Sequence, residues 1–148
     1  MNSLKSGKKI GIMGAAVLAS IAFSGLSSAD DRGVGKHLWK DRVILLFGEK
    51  DYSKELSQQK EEVEDRDLVY YQVNNAGVVK TNGDILLTEE EVKAMSAKYS
   101  KQSKEGKESS IVLIGKDGGV KRRWNTLKLE EIFALIDSMP MRQNEMRK

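Results

Sequence analysis

The chain of 148 residues contains no cysteine, a single proline and a single histidine. Without cysteine there is no disulfide staple, no thiol redox chemistry, no thiolate nucleophile and no Cys-built zinc site, so stability must come from apolar burial alone. With one histidine, any general base of the common kind would have to be His37. No Asp-x-Asp-x-Asn-Gly calcium loop occurs either. Neither a metal nor a cofactor is predicted. An apolar run of membrane-spanning length is missing as well. The stretch Ile10 to Phe23 is 14 residues, interrupted by Gly11, Gly14 and Ser20, where a span needs roughly 20.

That stretch has another reading. It follows the basic residues Lys5, Lys8 and Lys9 and precedes the small-residue segment Ser27-Ser28-Ala29, which is the layout of a secretory signal peptide cleaved after Ala29. No cysteine follows for lipid attachment and no Arg-Arg pair precedes, so the general secretory route is expected. Residues 1–29 are therefore set apart from the fold, and the product is expected to be secreted, periplasmic or extracellular, with no stable membrane span after cleavage. The formal net charge of +3 belongs to the segment removed, because those 29 residues hold three lysines and no acid and leave 22 basic against 22 acidic side chains. Nucleic acid and anionic membrane, the partners a basic chain would suggest, are set aside.

Residues 30–37 are polar, with Gly33 and Gly35, and are predicted to be a flexible leader. One domain is expected over 38–140. Val43 to Gly48 (VILLFG) reads as a strand covered on both faces. Asp51 to Glu64 places Leu56 and Val63 on a narrow helical stripe, and Leu68 to Asn74 reads as a second strand joined to the first by a parallel crossover. Asn75 to Asp84 is predicted to be a loop, with Val78 and Val79 a short strand at most. Thr88-Glu89-Glu90-Glu91 matches a capping box opening a helix to about Tyr99, and Ser100 to Ser109 reads as a mobile surface loop. Ile111 to Gly115 and Val120 to Trp124 form a hairpin across Lys116-Asp117-Gly118-Gly119. A helix with Leu129, Ile132, Phe133, Ile136 and Met139 on one face ends at Pro140, and 141–148 reads as a charged, frayed tail.

The order β-α-β-α-β-β-α is that of a minimal thioredoxin-like α/β sandwich, with a central mixed sheet flanked by helices. Two strings sharpen it: Ile111-Val-Leu-Ile-Gly-Lys-Asp-Gly-Gly-Val-Lys121 and Glu131-Ile-Phe-Ala-Leu-Ile-Asp-Ser-Met-Pro-Met-Arg142. They closely resemble a thioredoxin-like domain of unknown function, the DUDES domain of short secreted bacterial proteins and of animal matrix proteins of the equarin and sushi-repeat type. Arg42-Val-Ile-Leu-Leu-Phe47 is similar to that family's opening, and the likeness spans about Leu38 to Met146. It implies a peroxiredoxin-like shape and no established reaction.

In thioredoxin-like enzymes the nucleophilic thiol sits at the head of the first helix, where the helix dipole lowers its pKa. Here that place holds Gly48-Glu49-Lys50-Asp51-Tyr52, and Ser109-Ser110 stands where such enzymes carry a proline before the third core strand. Glu49 and Asp51 are candidate ligand contacts, although helix capping explains them equally. Lys116, Lys121 and Arg123, with Arg122, form a candidate anion-binding patch, for which a solvated strand face is the simpler account. A Ser-His-Asp triad built on His37 is not expected, because His37 lies in the predicted leader. Glu61, Glu62, Glu64, Asp65 and Asp67 read as a solvated helix end. Trp39 and Trp124 read as packing against the sheet edge, whereas an exposed Trp would mark a partner surface. The expected function is that of an exported, cysteine-free, non-catalytic module binding an unknown protein or matrix component of the envelope or the exterior. The alternative is a non-thiol enzyme or oxidative-stress protein using the site after strand one.

Overall fold

A computed structural model describes residues 32–100 and 111–148. The signal segment with its cleavage after Ala29, residues 101–109 of the expected Ser100 to Ser109 loop, and Ser109-Ser110 lie outside the described residues.

The apolar run after Asp41 forms β1 (Arg42–Phe47), and the alternation of a strand sends its side chains to opposite faces. Ile44 and Leu46 enter one core and Val43 and Leu45 the other. Burying a side chain of this kind is worth about 1.5–3 kcal/mol, which is why a continuous apolar run is stable only at the centre of a covered sheet. β2 (Leu68–Asn74), β3 (Gly77–Thr81), β4 (Ile111–Ile114) and β5 (Val120–Trp124) complete it. The five-stranded order is β3-β2-β1-β4-β5. β1 and β2 are parallel, with Arg42 opposite Leu68 and Phe47 opposite Val73. β4 runs antiparallel to β1, with Val43 opposite Ile114, and β5 antiparallel to β4. This is the thioredoxin-like sheet with β3 added at its β2 edge. The stretch expected to be mainly loop is thus a strand, set by a turn in which Asn74 Oδ1 accepts the Ala76 amide at 2.8 Å.

The helix expected over 51–64 is two short ones, α1 (Ser53–Gln58) and α2 (Lys60–Asp65), parted at Gln59, whose φ of −109° and ψ of 27° leave the helical region. Leu56 and Val63 still reach the same core, beside Ile132, Phe133 and Ile136 of α4 (Leu129–Asp137). The opposite face is covered by α3 (Glu89–Tyr99), which presents Val92, Met95 and Tyr99. Its start is the capping box expected, with Thr88 Oγ1 accepting the Glu91 amide at 3.2 Å and the Glu91 carboxylate accepting the Thr88 amide at 2.9 Å.

Both ends of the domain depart from expectation. The leader is ordered from Gly33, as a 3-10 turn over Gly33–His37 with Val34 and His37 buried. Long-range contacts hold it: Glu91 accepts the Gly33 amide at 3.0 Å and pairs with Lys36 at 2.8 Å. The tail is ordered too, as α5 (Pro140–Met146). Pro140 opens this helix, because at the first helical position the amide it lacks is not needed. Arg142 of α5 is buried.

Candidate functional site

The residues singled out in the sequence do not form one site. Glu49 and Asp51 follow the carboxyl end of β1, while Lys116 follows the carboxyl end of β4, which runs the other way. The six residues of β1, at about 3.3 Å each, put roughly 20 Å between the two groups.

At the head of α1, where a thioredoxin-like enzyme would carry its thiol, the polar groups are occupied by structural bonds. Gly48 takes a φ of +120°, open to glycine at no steric cost, and donates to the Val73 carbonyl at 2.9 Å. The buried Gln72 side chain accepts the Tyr52 amide at 3.2 Å and donates to the Lys50 carbonyl at 2.9 Å. Asp51 accepts the Ser53 amide at 2.8 Å and the Lys80 ammonium at 2.6 Å. The Lys80 bond, followed by those from Ser53, holds the Asp51 carboxyl well below the usual carboxylate range. Such a group is a fixed anion and has no proton to give near neutrality. Glu49 is exposed.

At the other end, Lys116 is buried and donates to Asp67 at 2.8 Å and to Glu145 of α5 at 2.7 Å. Burial works against its charge, but these two carboxylates outweigh it and raise its pKa above the ordinary lysine value. Arg42, only 1 % exposed, donates to the Arg66 carbonyl at 2.8 Å and to Glu145 at 3.3 Å. Arg66 pairs with Asp137 at 2.7 Å and with Glu62 at 2.6 Å. Arg142 reaches the Asp65 carboxylate and its carbonyl, and Asp137 at 3.3 Å. The acids read as a solvated helix end thus include Glu62, Asp65 and Asp67, which neutralise buried cations that fasten α2, α4 and α5 across one end of the sheet. Lys121 pairs with Asp117 at 2.7 Å, and Arg123 donates to the Tyr99 carbonyl at the end of α3, a favourable place for a cation. Lys116, Lys121 and Arg123 of the candidate anion patch thus each have a structural partner, and the fourth cation, Arg122, lies over the Trp124 ring at 5.4 Å.

A cavity of about 760 Å³ opens between the 3-10 turn, α3 and the β4–β5 turn, lined by Val34, Leu38, Met95 and Tyr99 and rimmed by Arg32, Lys98 and Trp39. Trp39 is 64 % exposed and takes a φ of +64°, a left-handed conformation that costs a non-glycine residue about 1–2 kcal/mol. Its amide donates to the Lys116 carbonyl at 2.6 Å, which fixes it there. The expectation that Trp39 packs on the sheet is corrected, whereas Trp124 does pack into the core and donates to Glu131 at 3.2 Å.

Residues 34–145 match the family described as Domain of unknown function (DUF4174). The chain belongs to that family. Among solved structures, this DUF4174 chain is similar to the mitochondrial 2-cys peroxiredoxin from Plasmodium falciparum, at 15 % identity and a TM-score of 0.46, over 70 % of this chain and 77 % of that one. It is also similar to RebC-10x, native and K252c bound, at 19 % identity and a TM-score of 0.37, over 73 % of this chain and 16 % of that one. No curated protein matches it. The Trp39 cleft of this DUF4174 chain has no signature in the sequence, because no residue pattern announces a left-handed tryptophan.

Proposed function

We propose that this DUF4174 chain is an exported, non-catalytic thioredoxin-like module that binds a protein of the envelope or exterior through the cleft at Trp39. The observation that carries the proposal is Trp39 itself: a large aromatic side chain, two-thirds exposed, is held at the rim of a cavity in a backbone conformation that costs energy. Strain kept at an exposed position is a mark of function, and tryptophan is enriched among the residues that dominate binding energy. The carboxylates lining the cleft, Glu91 and Asp117, are neutralised by Lys36 and Lys121, so Arg32 and Lys98 set its charge. An acidic segment carrying an apolar or aromatic side chain suits that lining. The signal-like leader supports export, the missing thiol and the sealed head of α1 support a non-catalytic role, and the resemblance to the DUDES domain agrees with both.

Placing a photo-crosslinkable phenylalanine analogue at position 39 in cells tests the reading. A discrete protein adduct in the envelope or medium, absent when the analogue replaces the exposed Leu86 instead, is expected. Adducts only to polysaccharide, or none, would overturn the protein-partner reading, and peroxide or disulfide turnover by the purified protein would overturn the non-catalytic one.

A further inference from the structure

Three polar contacts converge in the core beneath the cleft. His37 is 2 % exposed and Tyr71 0 %. The His37 Nδ1 lies 2.7 Å from Asp41 Oδ2 and its Nε2 lies 2.7 Å from the Tyr71 hydroxyl oxygen. That hydroxyl in turn donates to the Ile85 carbonyl at 2.9 Å.

The protons can be counted. A carbonyl and an ionised carboxylate only accept. The one phenolic proton is committed to Ile85, so the contact at Nε2 needs an N–H there. The contact between Nδ1 and Asp41 needs a third proton, on one side or the other. A neutral imidazole and a phenol supply two. We propose that the His37–Asp41 pair binds one proton more than a neutral imidazole beside a carboxylate, and that this proton operates a latch joining the 3-10 turn, β2 and the Ile85 segment. When it leaves, the Tyr71 hydroxyl can serve Nε2 or Ile85 but not both, so one of the three contacts opens. The proton belongs to the pair rather than to either residue.

The surroundings suit such a site. Burial, followed by the negative charges of Asp41 and Glu91, pushes the Tyr71 hydroxyl up to about 12, so the phenol keeps its proton while the pair titrates. The charged groups facing the latch are Asp41 before β1, Glu91 of α3, and Lys36 of the 3-10 turn, which pairs with Glu91. Ile85 lies just ahead of the Thr88 cap of α3, and the 3-10 turn forms one wall of the Trp39 cleft. The latch therefore sets how firmly two walls of the cleft are joined. It rests on these contacts and not on partner binding.

Because the chain has one histidine, its ring nitrogens can be followed by nitrogen-15 NMR on the purified protein without assignment. On raising the pH across the range in which the protein is folded, the ring is expected to pass from two protonated nitrogens to one. The Leu86 amide, next along the chain from the Ile85 carbonyl, is expected to shift with the same midpoint. In Tyr71→Phe the Leu86 response is expected to vanish. In Asp41→Asn, which leaves the core untouched, the midpoint is expected to fall by about one pH unit, a roughly tenfold loss of proton affinity. A ring carrying one N–H proton at every pH at which the protein is folded would overturn the proposal. So would a Leu86 amide indifferent to the titration, or an unchanged midpoint in Asp41→Asn.

Discussion

Replacing Glu145 with alanine should destabilise the domain far more than its place three residues from the end suggests. Its carboxylate accepts from Lys116 at 2.7 Å and from Arg42 at 3.3 Å, and lies 3.8 Å from Arg142. Without it the Arg42 guanidinium, 1 % exposed, keeps among the described residues only the Arg66 carbonyl, while Lys116 keeps Asp67. Stripping one partner from a fully buried ion pair costs about 3–5 kcal/mol. Glu145 is 29 % exposed, so water screens part of this, and about 2–3 kcal/mol is expected. In a domain of this size that corresponds to a fall in Tm of roughly 8–12 °C. Urea unfolding monitored by tryptophan fluorescence measures it. The double variant with Arg42→Met should cost less than the sum of the singles by about 1 kcal/mol, since removing both charges leaves none stranded. A loss below about 0.5 kcal/mol for Glu145→Ala, or strict additivity, would refute the reasoning.

The same carboxylate gives a pH dependence. Burial works to raise the Glu145 pKa, but the hydrogen bonds from Lys116 and Arg42 outweigh it and hold it below the ordinary 4.5. Such a group stabilises fully above its unfolded value and loses that contribution as the pH falls through its folded value. Asp137, held down by Arg66 and Arg142 against burial, and Glu91, lowered to about 2 chiefly by Lys36, add to the same acid limb. Thermal stability should therefore decline below about pH 4.5, less steeply in Glu145→Gln. Trp39→Asn should relieve the left-handed strain and raise stability by up to about 1 kcal/mol in denaturant unfolding; a destabilised variant would show that the indole supports the fold. Thr88→Ala should cost about 1 kcal/mol in denaturant unfolding by opening the capping box.

The sheet was legible in the sequence because its central strands are unbroken apolar runs. Val43 to Leu46 and Ile111 to Ile114 name the core without any knowledge of what lies opposite. The capping box was legible because both its partners lie within three residues. The ordered ends were not legible, because what orders them is remote. Gly33 is tied to Glu91, 58 positions away, and Arg142 to Asp65, 77 away. Charged residues in a short tail look solvated until the opposite charges are located. The candidate site failed for a related reason. Asp51 and Lys116 both follow apolar strands, and only the antiparallel setting of β4 against β1 shows that they stand at opposite ends of the sheet. Trp39 needed its backbone angle.

The contact between Arg42 and Glu145 joins positions 103 apart, close to the full length of the domain. During synthesis the guanidinium at the start of the first strand has no counter-ion from α5 until that helix has been made. Until then the burial of that cation would lack its partner carboxylate, and a buried charge without a partner is costly.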